Sequence, residues 1–123
     1  MSVVNDPYIV ELNRHDGTNG SLIALESVGF DIQRVFYIFG VPSGAERGHH
    51  GHRNTSQFLT CVSGCVDIEI TNSNGCFCFV LDSPSKGIMM PPNNFIIMKN
   101  FSRDCVLLVL ADTLHTNDII IKA

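Results

Sequence analysis

Hydrophobic residues follow one another in short runs along this chain, and no stretch repeats them with the 3.6-residue period of an amphipathic helix. Val, Ile, Phe and Thr dominate the runs, as they do in β-strands. Asn72–Gly75 predicts a hairpin turn, because Asn and Gly tolerate positive φ. Pro84, Pro91 and Pro92 predict strand ends, because proline donates no ladder hydrogen bond. We predict strands at Tyr8–Leu12, Ser21–Glu26, Ile32–Phe39, Gln57–Ser63, Val66–Thr71, Cys76–Leu81, Gly87–Met90, Phe95–Phe101 and Cys105–Ala111.

Short strands with a turn signal at intervals of about eight to twelve residues are typical of a β-sandwich or barrel. The chain has 123 residues, enough for one hydrophobic core, and it contains no repeat, linker or low-complexity segment. We therefore predict an all-β protein with a single domain over residues 1–123.

The formal net charge of −4 argues against non-specific binding to nucleic acid, which needs a basic face. Arg34, Arg47 and Arg53 nevertheless surround a histidine-rich segment, so this segment is locally basic. No apolar run reaches the roughly 18–20 residues of a membrane helix, and the N-terminus lacks the features of a signal peptide. We expect a cytoplasmic protein with neither a membrane nor a nucleic-acid partner.

The five cysteines are an odd number without a secretion signal, so we expect free thiols rather than a disulfide framework. The pairs Cys61 with Cys65 and Cys76 with Cys78 also raise the possibility of a zinc site. Both pairs lie in apolar, strand-like sequence, where a free cysteine packs as a small hydrophobe. We therefore favour buried thiols at all of these positions.

The candidate chemistry centres on His50 and His52, which lie two residues apart and so face the same side of an extended strand. His49 points to the other side. One interpretation is a metal site completed by Gln57, a weaker ligand than a carboxylate. The other is metal-free acid–base catalysis by two imidazoles, with Tyr37 either donating a hydrogen bond to a substrate oxygen or only packing.

The spacing G-x5-H-x-H-x4-Q-x6-G, from Gly44 to Gly64, resembles the first motif of the cupin superfamily, with Gln57 in place of the usual glutamate. This resemblance implies a jelly roll, or double-stranded β-helix, with the histidine pair facing the mouth of the barrel. The second cupin motif would be Gly87–Ile96, and Ile96 stands where its last metal ligand usually falls. The resemblance thus favours catalysis without a metal, and a metal-dependent cupin remains an alternative.

More of the chain resembles one group of cupins, the nucleotide-sugar 3,4-ketoisomerases of the WxcM-like (FdtA/QdtA) family. The runs R-V-F-Y-I-F-G-V-P, at Arg34–Pro42, and R-G-H-H-G-H-R, at Arg47–Arg53, carry the resemblance. Three further blocks agree with it: Gln57–Gly64, Leu81–Gly87 and Phe101–Ala111.

The family resemblance implies a dTDP-linked 4-keto-6-deoxyhexose as substrate. The keto group would move from C4 to C3 through an enediol, without a cofactor, to supply 3-amino-3,6-dideoxy sugars for surface glycans such as the lipopolysaccharide O-antigen. It also implies a homodimer that exchanges its N-terminal strands.

Carried over residue by residue, the resemblance implies catalytic roles for His50, His52 and Tyr37, with His52 as the main base. It further implies a set of substrate-binding residues: Arg47, Gln57, Arg53 and Arg34.

Two segments depart from the family pattern. Phe95–Met98 replaces the family's W-H-E-M, and Thr113–Ile119 replaces a tyrosine-rich stretch. Two alternatives to an active ketoisomerase therefore remain: a cupin that binds a nucleotide sugar without converting it, and a 3,5-epimerase of the same substrate type. His15 and His115 carry no signal, and we expect both at the surface.

Overall fold

A computed structural model of the protein describes residues 5–122. It contains twelve strands and one 3-10 turn at His115–Asn117. The strands are β1 Tyr8–Glu11, β2 His15–Gly17, β3 Gly20–Leu22, β4 Arg34–Phe39, β5 Arg47–His52, β6 Gln57–Ser63, β7 Val66–Asn72, β8 Gly75–Leu81, β9 Lys86–Met90, β10 Asn94–Lys99, β11 Val106–Ala111 and β12 Ile120–Lys122.

Two five-stranded sheets build the molecule, with strand orders β1-β9-β6-β11-β4 and β12-β5-β10-β7-β8, and β2 and β3 form a separate hairpin. All pairings are antiparallel. Side chains from both sheets meet in one core, represented by Leu59 and Val109 of the first sheet and Ile70 and Ile96 of the second. The prediction of an all-β cupin jelly roll is confirmed. Within residues 5–122, no helix is long and apolar enough to cross a membrane.

The predicted strands agree with the structure to within two residues at each end, except at four places. β2 was not predicted. The strand predicted at Ser21–Glu26 ends at Leu22, because Gly20 (φ 125°) closes a short hairpin with β2 instead. β5 was not predicted as a strand of its own, since its histidines and glycines have little β-propensity. β12 was also missed, because it contains only three residues after a 3-10 turn.

The cysteines form a buried pair and an exposed pair, and Cys65 is half-buried. Cys61 and Cys105 are buried with their Sγ atoms 3.6 Å apart, and burial raises the pKa of Cys61 to about 12. Cys76 and Cys78 are exposed, so the prediction of buried thiols is wrong for this pair. The reason is the alternation of side chains along β8. Residues such as Phe79 pack against the core, whereas the cysteines occupy the positions between them, on the outer face. All five cysteines are free, as expected.

Candidate active site

β5 carries the histidine pair next to the edge of the second sheet, between β10 and the edge strand β12. His52 pairs with Asn94 and with Ile120, and His50 pairs with Ile96. Gly51 lies between the histidines, where an added Cβ would stand 2.6 Å from the carbonyl oxygen of Asn94. Only glycine therefore allows β5 and β10 to approach closely enough to hold both rings on the inner face of the sheet.

A β-bulge in β5 decides which neighbouring residues share that face. The register against β10 shifts between Ile96 and Ile97, and His49, with φ 59°, is the extra residue. Past the bulge, Arg47 pairs with the buried Met98 and lines the same cavity as His50. A regular strand would have turned Arg47 to the opposite face.

The cavity enclosed by the two sheets has a volume of about 290 Å³. Its apolar wall includes Leu59, Ile96, Met98 and Val109. Its polar residues are Arg34, Tyr37, Arg47, His50, His52, Gln57, His115 and Asp118. The cavity thus combines an apolar base with a small number of titratable groups, which is typical of a small-molecule site.

Asp118 holds His52 from the C-terminal segment. The Nδ1 atom of His52 lies 2.7 Å from Oδ2 of Asp118, and the Thr55 hydroxyl donates to Oδ1 at 2.6 Å. The His52 and Asp118 side chains are only 6% and 2% exposed. Because the carboxylate accepts a proton from Nδ1, the lone pair of neutral His52 lies on Nε2. Among the described residues, this buried Nε2 atom has no hydrogen-bond partner.

Backbone contacts place Asp118 there. The Arg53 N–H donates to the carbonyl oxygen of Ile119 at 2.9 Å, and the side chain of Asn54 donates to the carbonyl oxygen of Asn117 at 3.2 Å. The loop after β5 is thereby joined to the segment that precedes β12. Sequence reasoning missed Asp118, because no local motif links an aspartate to a histidine 66 positions away.

His50, His49 and His115 differ in their positions relative to His52 and the cavity. The rings of His50 and His52 meet edge to face, with centroids 4.9 Å apart. His49 is exposed and its Nε2 lies 2.8 Å from Oε1 of Glu46, so it faces away from the pair as predicted. His115 is exposed, as expected, but it also borders the cavity, which the sequence did not indicate.

The three arginines near the histidine pair differ in whether they line the cavity. Arg34 and Arg47 line the cavity, and within residues 5–122 neither forms an ion pair. The guanidinium of Arg34 lies 4.4 Å from the centroid of the Phe36 ring. Arg53 is exposed and does not line the cavity. The structure thus brings two of the three predicted arginines to the site, where they can hold an anion.

Gln57 and Tyr37 both reach the cavity but differ in how deeply their side chains are buried. Gln57 is buried at the start of β6 and lines the cavity. Tyr37 borders the cavity too, but its side chain is 61% exposed and its ring stacks on Phe39, with centroids 5.8 Å apart. In β4 the less exposed positions are those of Arg34, Phe36 and Ile38, so Tyr37 belongs to the outer set. Tyr37 thus reaches the cavity from the outer set of β4 positions, and its catalytic role stays a prediction.

The donor set in the cavity is not that of a typical metal centre. In the described part of the chain, one group of three His, Cys, Asp or Glu side chains has its ligand atoms close together. That group lies on the outer face of β7 and β8, outside the cavity. Ile96, opposite His50, offers no ligand atom, and Nδ1 of His52 is engaged by Asp118. The residues present suit acid–base catalysis better than metal binding.

Comparisons with known proteins agree with this geometry. The family model described as FdtA, WxcM-like, C-terminal, matches residues 5–122. A TDP-4-oxo-6-deoxy-alpha-D-glucose-3,4-oxoisomerase from Aneurinibacillus thermoaerophilus is 34% identical over 106 residues, which are 84% of this chain and 76% of that protein.

Two solved structures are similar over most of their length. The WlaRB TDP-quinovose 3,4-ketoisomerase from Campylobacter jejuni gives a TM-score of 0.91 at 35% identity, covering 98% of this chain and 95% of that one. A mutant of the 3,4-ketoisomerase QdtA from Thermoanaerobacterium thermosaccharolyticum, in complex with TDP-4-keto-6-deoxyglucose, gives 0.88 at 30% identity, covering 96% and 88%. The resemblance seen in the sequence is confirmed: the chain belongs to the FdtA (WxcM-like, C-terminal) family.

Proposed function

We propose that this protein is a sugar 3,4-ketoisomerase that converts a TDP-linked 4-keto-6-deoxyhexose into the 3-keto isomer. The observation that carries the proposal is the buried pair of His52 and Asp118, which leaves Nε2 of His52 as a base within a cavity that also holds His50 and two arginines. The family relatives named as 3,4-ketoisomerases and 3,4-oxoisomerases support it.

The first step is removal of the proton on C3 by Nε2 of His52. The C–H electron pair forms the C3=C4 double bond, and the former carbonyl oxygen on C4 takes a proton to complete the enediol. Asp118 stabilises the imidazolium that forms, because its carboxylate already accepts the Nδ1 proton. Thr55 keeps that carboxylate in place.

The second step reverses the roles of the two carbons. The hydroxyl on C3 loses its proton and becomes the carbonyl, and C4 takes a proton, so C4 gains the hydrogen that C3 has lost. No electrons enter or leave the substrate. We assign the exchange of protons with the sugar oxygens to His50, and the contact of its ring with that of His52 supports this role.

Arg34 and Arg47 provide the binding charge. Asp118 is the only carboxylate among the cavity-lining residues described, and it is engaged by His52 and Thr55. The two guanidinium groups therefore remain available for the diphosphate of the substrate and for the negative charge of an enediolate. Gln57, buried in the same wall, adds a neutral hydrogen-bonding group for the sugar.

The test is a proton NMR time course with TDP-4-keto-6-deoxyglucose in D2O and a metal chelator. We expect a 3-keto product from the native protein and none from His52→Asn. His49→Asn is the matched control: His49 is exposed, and Asn tolerates the positive φ of this position. Full activity of His52→Asn would contradict the mechanism.

The same experiment separates the alternatives. Binding of TDP without any product would indicate a nucleotide-sugar-binding cupin. Deuterium entering C5 without movement of the keto group would indicate a 3,5-epimerase. The coupling constant of H4 in a 3-keto product would show whether its configuration at C4 is gluco or galacto.

We further propose a homodimer in which N-terminal strands are exchanged. The first sheet has β1 and β4 at its edges, and β4 exposes Val35, Tyr37 and Phe39 on one side. An exposed apolar stripe of this kind favours burial against another protein surface. Light scattering should give twice the chain mass for the native protein and a lower mass for Phe39→Lys.

Free cysteines support a reducing compartment, and we propose a cytoplasmic enzyme that supplies 3-keto sugars to an aminotransferase. The end products would be 3-amino-3,6-dideoxy sugars of surface glycans, including the O-antigen. Loss of such a sugar from the glycans of a deletion strain is the corresponding measurement.

A further inference from the structure

The outer face of the β7–β8 hairpin carries two thiols and a carboxylate in one place. Cys76 and Cys78 lie two residues apart on β8 and are both exposed. Glu69 of β7 is directly opposite Cys78 in the register. Oε1 of Glu69 lies 3.8 Å from Sγ of Cys76, and the ligand atoms of all three side chains lie within 4.8 Å of one another.

The two oxygens of Glu69 have different partners. Oε2 forms an ion pair with the ammonium group of Lys99, whereas Oε1 faces the thiol of Cys76. The hydrogen bond from Lys99 holds the pKa of Glu69 below its usual range, so the carboxylate is charged at neutral pH. Lys99 thus orients Glu69 while leaving one oxygen toward the cysteines.

These three groups match the ligand chemistry of a thiophilic divalent cation. Two thiolates and one carboxylate are ordinary zinc ligands, and tetrahedral coordination requires sulfur atoms about 3.8 Å apart. The observed separations reach that value with small side-chain rotations, which exposed residues on a hairpin can make. A fourth position is left open to solvent.

We propose that Glu69, Cys76 and Cys78 form a binding site for one zinc ion, with water as its fourth ligand. The site is distinct from the catalytic cavity, which lies on the inner side of the sheets and which none of these residues lines. Zinc would tie β8, an edge strand of the second sheet, to β7. The ion would therefore stabilise the hairpin without entering the isomerase chemistry.

The thiols must lose their protons when the metal binds. The charged groups that face the Cys78 thiol are Glu69 and Lys99. Zinc binding should therefore release protons and weaken as the pH falls. This dependence distinguishes thiolate ligation from binding to carboxylates alone, which are already charged at neutral pH.

The experiment is a titration of the reduced, metal-free protein with Co²⁺ under anaerobic conditions, followed by displacement with Zn²⁺. We expect one equivalent of Co²⁺ to give sulfur-to-cobalt charge-transfer absorption and the visible bands of a tetrahedral site. The double variant Cys76→Ser with Cys78→Ser should bind on the order of 100-fold more weakly and lose the charge-transfer band. Glu69→Gln should weaken binding roughly tenfold.

Two matched controls keep the test specific. Cys65→Ser removes a thiol that is not part of the group and should bind like the native protein. His52→Asn should also leave the cobalt spectrum unchanged, because the catalytic histidines are not ligands. The proposal fails if the double cysteine variant keeps the charge-transfer band, if the native protein shows none, or if His52→Asn removes it.

Discussion

Nδ1 of His52 and Oδ2 of Asp118 lie 2.7 Å apart, although 66 positions separate the two residues in the chain. Both side chains are almost fully buried, and Thr55 occupies the second oxygen of the carboxylate. The pair fixes the tautomer of His52, because a carboxylate accepts but does not donate. The basic nitrogen of the site is therefore Nε2.

Asp118→Asn should lower kcat by roughly two to four orders of magnitude, the range typical of general-base catalysis, with little change in KM. The amide nitrogen can donate to Nδ1 and so favours the tautomer that has its proton on Nε2. Steady-state kinetics by NMR would measure the effect. Asp67→Asn is the control, because Asp67 lies in β7 and does not line the cavity. Equal losses in both variants would refute a specific role for Asp118.

Arg47→Met should weaken TDP binding roughly ten- to a hundredfold, since charged hydrogen bonds contribute about 1.5–3 kcal/mol each. Arg53→Met should change the affinity by less than about twofold, because this side chain is exposed outside the cavity. Isothermal titration calorimetry at two salt concentrations would compare the variants. An effect of Arg53→Met as large as that of Arg47→Met would restore the substrate-binding role predicted for Arg53.

Gly51→Ala should destabilise the protein by about 1–3 kcal/mol and reduce activity, because its Cβ would stand 2.6 Å from the Asn94 carbonyl oxygen. The resulting shift of β5 would move both histidines. Gly17→Ala is the matched control, since the nearest atom to its added Cβ is 3.8 Å away. Urea unfolding of the two variants should give clearly different midpoints, and similar midpoints would show that β5 adjusts.

The buried thiol of Cys61 should make the protein less stable as the pH rises from about 9 to about 12. Its pKa is raised to about 12 in the folded state, so only the unfolded thiol ionises in this window. The unfolded state then binds fewer protons and is favoured. Cys61→Ala should show a smaller decrease in the free energy of unfolding between pH 8 and pH 10, whatever its stability at pH 8. An equal decrease in both proteins would show that groups other than Cys61 cause the loss of stability.

Much of the architecture was predictable from local pattern. Alternating apolar positions determine strands such as Val66–Asn72, because such a strand buries one face against the core. Motif spacing likewise indicated the cupin fold and the family, and it placed His50 and His52 on one face. The apolar sequence around Cys61 also indicated that it is buried. The same argument failed for Cys76, since an apolar run does not show which of its faces turns inward.

By itself, then, the sequence determined most of the strands, the jelly roll, the family and the histidine pair. Only the tertiary structure decided that Asp118 holds His52, that a bulge at His49 turns Arg47 into the cavity, and that Arg53 stays outside it. The physical reason is that these features depend on partners distant in the chain. The bulge in β5 depends on its register with β10. The burial of the Asp118 carboxylate depends on the pairing of the C-terminal segment with β5.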